Sequence, residues 1–376
     1  MLTPPSPSTP LTPAAPRSSR RRRRLSGLVG IGLSAALIAS ACGSARTLEG
    51  PAAAIYDGEC AESDDRQLTV YSGRTENLIQ PVLDAFECET GVDVAVRWGA
   101  STDLALLLAE EGGRTSADVF LSRSPGPVGF LENKGLLGTV DAGVADLVDD
   151  ENRSGSRTWV GFTGRKRVLV YNLDNVADSE LPASVFDLTD ARYRGRVAIP
   201  ATNGSFVDWF TVFRHQHGDE AVAHWLDDMV ANDARYYPNN RSIVEAAGRG
   251  EIDMGLVNHY YQYQVAEAIG DGHRAANWDF AGEDIGSLLI ITAATVTAAS
   301  EHTAAANEFI GYLLSAPVQQ YFSSETLEYP LAAGVAPADV LPALVGPEVG
   351  SIDFDSLGEG FARSTEIIEA SGILNE

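Results

Sequence analysis

From Leu68 onward the chain alternates between short apolar runs and stretches whose apolar residues recur every three or four positions. Leu68-Thr69-Val70-Tyr71 reads as a strand, broken at Ser72-Gly73-Arg74-Thr75, after which Leu78, Val82, Leu83 and Phe86 fall at helical spacing. Residues 91–97 alternate as a second strand, 102–111 form a helix, and Ala117-Asp118-Val119-Phe120-Leu121 makes a third, buried strand. Such alternation predicts an α/β fold on a parallel sheet with helices on both faces. Ligands in such sheets bind beyond the carboxyl ends of the strands. Arg74 and Arg123 follow two of these strands and are expected at one rim, where cations facing a cleft would select an anion.

Farther on, a strand over 167–172 is followed by another at 195–200, and Ala201-Thr202-Asn203-Gly204-Ser205-Phe206 then leads into a helix. Backbone N–H groups at that helix start, with Asn203, Gly204 and Ser205 beside them, suit either an anion cradle or an ordinary helix cap. Tyr237-Pro238-Asn239-Asn240 precedes a helix over 242–248, and an apolar strand then ends in Asn258-His259-Tyr260-Tyr261. Two adjacent phenols suit a small trivalent cation such as Fe(III), which can lower a phenol pKa far below its usual ~10. They also suit an interface, with ring edges buried and hydroxyls wet. Strand alternation would point His259 away from Tyr260, which gives it a structural role. The apolar run 285–296 could return the chain to its first half, and 329–331 with a last helix near 361–368 could cross back. Crossings of this kind permit hinge closure around a ligand.

The first 41 residues change the setting. A Pro, Ser and Thr-rich start leads to Arg20-Arg21-Arg22-Arg23-Arg24 and an apolar run that ends at Ala39-Ser40-Ala41-Cys42, the pattern of an export signal. It resembles a lipoprotein signal, which implies that Cys42 carries a lipid anchor on the outer face of the cell membrane or in the periplasm. Residues 42–65 are small, acidic and aperiodic, and read as a tether. The two other cysteines, Cys60 and Cys88, are expected to pair in an oxidising compartment. The whole chain has 27 basic and 52 acidic residues; without the first 41, which hold six arginines and no acid, 21 face 52. That balance disfavours nucleic acid, whose phosphates require clustered cations. The sequence has no Gly-x-Ser-x-Gly elbow, no His-Glu-x-x-His and no phosphate loop, so nothing in it points to an enzyme.

Taken together, Leu68-Thr69-Val70-Tyr71-Ser72-Gly73, Ala117-Asp118-Val119-Phe120, Thr202-Asn203-Gly204-Ser205-Phe206, Tyr237-Pro238-Asn239-Asn240 and Val257-Asn258-His259-Tyr260-Tyr261 resemble the periplasmic ferric-binding proteins, over about residues 66–376. The resemblance implies a type II periplasmic-binding-protein fold with two α/β lobes, a hinge of crossing strands and a ligand in the interlobe cleft. The lobes would be 66–164 with 285–328, and 165–284 with 329–376. It also implies Fe(III) on Tyr260 and Tyr261, a synergistic carbonate or phosphate near Asn203, Gly204, Ser205, Asn239 and Asn258, and delivery by a monomer to an ABC permease. The chain departs from the best-known branch in two places: Thr75 stands where a His ligand is usual, and Arg123 where a Glu ligand is usual. Arg74 and Arg123 would then serve the anion. The alternative is a receptor of the same fold for a metal-free organic or phosphorylated anion.

Overall fold

The computed structural model describes residues 46–344 and 360–375, so the signal segment and Cys42 lie outside the described residues. The first elements are β1 (Gln67–Ser72), α1 (Glu76–Thr90), β2 (Asp93–Trp98), α2 (Ser101–Glu111), β3 (Val119–Ser122), α3 (Pro125–Asn133) and the single turn α4 (Ala142–Ala145). The 13-residue β4 (Val160–Asn172) leads to β5 (Val197–Ile199), α5 (Gly204–His217), α6 (Asp219–Ala231), β6 (Arg235–Tyr236), α7 (Asn240–Gly248), β7 (Met254–Asn258), α8 (Tyr260–Ile269) and β8 (Ala275–Trp278). The chain then runs through β9 (Leu289–Val296), α9 (Thr303–Leu313), α10 (Ala316–Tyr321), β10 (Tyr329–Pro330) and α11 (Gly360–Ala370).

The strands lie in the order β2-β1-β3-β9-β4-β7-β5-β6, with β8 and β10 also paired to β4. The parallel sheet expected from the sequence is therefore a mixed one. Pairing is parallel within β2-β1-β3 and within β7-β5-β6, but β9 joins β3 and β4 antiparallel, and β4 joins β7 antiparallel. Local alternation reveals each βαβ unit but not the long strands that connect them. β4 is the connector. Its first half, through Lys166, pairs with β9, and from Arg167 it pairs with β7 and β8.

Hydrophobic clusters cover the sheet, one on the first side of that exchange and a larger one that spans it. On the first side Leu68, Val70 and Leu121 of the strands pack with Phe86 of α1 and with Phe309 and Phe322. The second side is aromatic: Phe206, Trp209, Phe210 and Phe213 line one face of α5 and meet Trp225 and Met229 of α6.

Residues 46–65 differ from the tether expected. Ile55 is buried in the first cluster, the Asp64 N–H donates to the Gly91 carbonyl at 3.2 Å, and Cys60 is disulfide-bonded to Cys88 of α1. Gly91 ends α1 at φ 75°, and a Cβ there would stand 2.3 Å from the Glu62 carbonyl oxygen. One buried apolar side chain, a backbone hydrogen bond and a cross-link suffice to dock a segment whose composition is otherwise that of a linker.

The cysteines are 28 positions apart, and opening a loop of that size removes about 3 kcal/mol of stability. Cys60→Ser with Cys88→Ser should therefore lower the urea midpoint to that of the reduced wild type. An unchanged midpoint would mean the bridge stabilises nothing.

Candidate functional site

All five residues of β7 are buried, and α8 starts one residue after the strand ends. Gly255 allows this strand to lie close to its neighbours, since a Cβ there would stand 2.3 Å from Ile243 Cγ2 and 3.1 Å from the Ala198 carbonyl oxygen. At the strand's end the Tyr260 and Tyr261 rings lie 4.4 Å apart, tilted by 34°. Burial raises the Tyr260 phenol above its usual value, Tyr261 adds to the rise, and Arg165 opposes it. The phenol is therefore protonated at neutral pH.

His259 is not set by strand alternation, because it has helical backbone angles immediately before α8. Its Nδ1 accepts the Lys166 N–H at 3.0 Å, so Nε2 carries the proton and donates to the Leu327 carbonyl at 2.8 Å. Burial lowers its pKa to about 4, which keeps the ring neutral. With both nitrogens engaged by backbone, His259 braces the segment beside the tyrosines.

The turns at 203–205, 239–240 and 258–261 converge through Asn240, whereas the family resemblance implies a contact at Asn239. Its Oδ1 accepts the Asn258 N–H at 3.0 Å and Arg167 Nη1 at 3.1 Å, and its Nδ2 donates to Asn203 Oδ1 at 3.1 Å. Asn203 caps α5, accepting from the Ser205 N–H at 3.1 Å. Asn239 instead faces solvent and caps α7 through the Ser242 N–H at 2.9 Å. Asn258 is buried and its Oδ1 has no partner. Turned by half, that amide would present an NH2 group to an anion.

A cavity of about 360 Å³ gathers Tyr260, Tyr261, Asn203, Gly204, Ser205, Asn258, Arg74 and Arg123 on one lining, with Thr75 beside them and Asn239 outside. Arg74 does not face it as a free cation. It is buried, its guanidinium grips Glu328 in two bonds of 2.8 and 2.7 Å, and it lies 5.5 Å from the Phe322 ring centroid. Burial works against the Arg74 charge, but Glu328 outweighs it and the pKa rises; Glu328 is lowered in turn, against its own burial, by Arg74. Arg123 is exposed and lies nearest Gly204.

Four further charged groups belong to the site and were not singled out from the sequence: Arg165, Arg241, Asp208 and Glu328 line the cavity. Behind it, Arg167 donates to the Ser205 carbonyl at 2.6 Å, and burial, then Arg165, lowers its pKa to about 9. The available signal was Arg165-Lys166-Arg167, three cations inside an otherwise apolar strand. Tyr71 donates to Glu111 at 3.1 Å and lies outside the lining. Among the described residues no group of three or more His, Cys, Asp or Glu could hold a metal.

Two clusters of α/β structure, joined by long antiparallel strands around a polar cleft, define a solute-binding protein of the type II two-lobe class. The chain belongs to the family described as bacterial extracellular solute-binding protein, whose profile matches residues 114–358. It is similar to the Fe(3+)-binding periplasmic protein of Serratia marcescens, at 27% identity over 319 residues, covering 84% of this chain and 94% of that one. Among solved structures it is similar to iron-bound HitA from Pseudomonas aeruginosa, with a TM-score of 0.74 and 30% identity over 82% of this chain and 99% of that one. A Trichodesmium protein (IdiA, FutA) in complex with iron and citrate matches at TM-score 0.71 and 25% identity, over 81% of this chain and 99% of that one. These relatives are binding proteins rather than enzymes, as expected for this chain. Among the described residues no helix is long and apolar enough to cross a membrane.

Removing one partner of a buried ion pair strands the other charge and costs about 3–5 kcal/mol. Glu328→Gln should lower unfolding stability by that amount, and adding Arg74→Met should recover much of it. Urea titration checks both, and a neutral Glu328→Gln would contradict the pairing.

Proposed function

We propose that this protein captures Fe(III) together with a synergistic anion and delivers it, as a monomeric lipoprotein anchored through Cys42, to an ABC permease. The observation that carries this reading is the Tyr260–Tyr261 pair, side by side at the floor of a cleft lined with arginine. Two phenolates supply strong anionic oxygen donors, the chemistry a small trivalent cation requires. The anion, carbonate, phosphate or a carboxylate, is held by the start of α5 at Asn203, Gly204 and Ser205, by the Asn258 amide and by Arg123. Arg165 lends positive charge from behind. Asn239 contributes through its α7 cap, not by contact, and Arg74 through its pairing with Glu328.

In this scheme the lobes, 66–164 with 285–328 and 165–284 with 329–376, close about the point where β4 changes partners. Capture begins on the tyrosines and the α5 turn, and closure then brings Arg123 over the anion. Release follows from opening at the permease, loss of the anion, or reprotonation of the phenolates. The excess of arginine over carboxylate in the cleft favours a second reading, a receptor for a metal-free organic or phosphorylated anion.

Ferric citrate added in bicarbonate buffer should produce a visible tyrosinate-to-iron band that saturates at one equivalent. No band, with a thermal shift on adding organic phosphates, would establish the second reading. Tyr260→Phe should lower iron affinity by at least about 100-fold, the upper end of what outer contacts contribute. Because burial holds the Tyr260 proton on, iron binding should release it. Apparent affinity should then rise with pH and weaken by about tenfold per unit as pH falls, for each proton displaced. Competition with a chelator at several pH values checks the sign, and a pH-independent affinity would contradict phenolate ligation.

A further inference from the structure

Asp208 lies one turn into α5 and faces the cleft. Its carboxylate accepts a hydrogen bond from Ser124, a buried residue just past β3 on the opposite rim. Arg165, Arg123 and Arg167 surround it with positive charge. Arg165 also donates to the Arg123 carbonyl, and the Arg123 N–H donates to Ser101 Oγ at 3.0 Å, so the backbone of residue 123 is fixed from both sides. From there the guanidinium reaches across the cleft, with Nη2 3.9 Å from the place a Cβ on Gly204 would occupy. A cation at the positive end of a helix is unfavourable unless negative charge lies with it. Of the two carboxylates on the cleft lining, Glu328 is taken by Arg74, which leaves Asp208 to supply that charge.

We propose that Asp208 is the positioning residue for Arg123, drawing the β3 rim onto α5 so that the cation serves the anion instead of repelling the metal. The inference rests on the iron-and-anion reading above and adds the residue that makes Arg123 compatible with it.

The test follows release of iron to a competing chelator by decay of the visible band, in wild type, Arg123→Ala, Asp208→Asn and the double variant. Each single variant should release iron about tenfold faster, and the double variant no faster than either, because contacting residues of one unit are not additive. Asp208→Glu should restore part of the retention. Small-angle scattering of the unloaded protein should give a larger radius of gyration for Asp208→Asn than for wild type. Additive losses, or an Asp208→Asn protein that matches wild type in both release and radius, would overturn the proposal. Ser124→Ala removes the same bond from the other rim without changing charge, and serves if Asp208→Asn fails to fold. It too should release iron faster, and wild-type release would count against the contact. A wild-type protein that shows no band defeats the iron reading instead, and the scattering comparison then decides the Asp208 contact separately.

Discussion

Burying Arg165, Lys166 and Arg167 in the middle of β4 is the constraint that the other parts of this molecule answer. These residues are 4%, 1% and 0% exposed, and a cation taken out of water costs several kcal/mol unless partners are supplied. Each is met from a different part of the chain. Arg165 finds the Arg123 carbonyl after β3, Lys166 finds Asp279 at 2.8 Å after β8, and Arg167 finds Asn240 of α7 and Ser205 of α5. Satisfying β4 therefore brings both rims of the cleft to the place where the strand changes partners. The hinge and the site are one arrangement of charge.

That arrangement also determines what the cleft can hold. Arg74, Arg123, Arg165 and Arg241 line it against Asp208 and Glu328, within a chain whose net charge is −25. A bare trivalent cation entering such a surface would be repelled. Anionic groups reverse this, and they can come from the phenols, once a metal has displaced their protons, and from a small anion carried in with it. The unpaired oxygen of the buried Asn258 amide lies on the same lining.

Much of this was legible along the chain. The alternation of strands and helices, the hinge-crossing run now seen as β9, the capped start of α5 and the tyrosines after β7 all follow local rules of periodicity and capping, and local rules can be read locally. The mixed pairing of the sheet could not, because β4 and β9 are set by long-range register. The Arg74–Glu328 clamp joins residues 254 positions apart, so Arg74 reads from sequence as a free anion contact. Asn239 and Asn240 are neighbours with the same side chain, and only tertiary packing assigns one to solvent and the other to the site. The acidic segment before β1 reads as a tether because composition does not register a single docked Ile55 or the Cys60 bridge.

The most direct measurement is the anomalous difference map at the iron absorption edge from crystals of the mature protein grown with ferric citrate and bicarbonate. The account predicts one peak within bonding distance of the Tyr260 and Tyr261 hydroxyls, with anion density between it and the Asn203–Ser205 turn. A peak elsewhere, or anion density in the cleft with no iron, would contradict it.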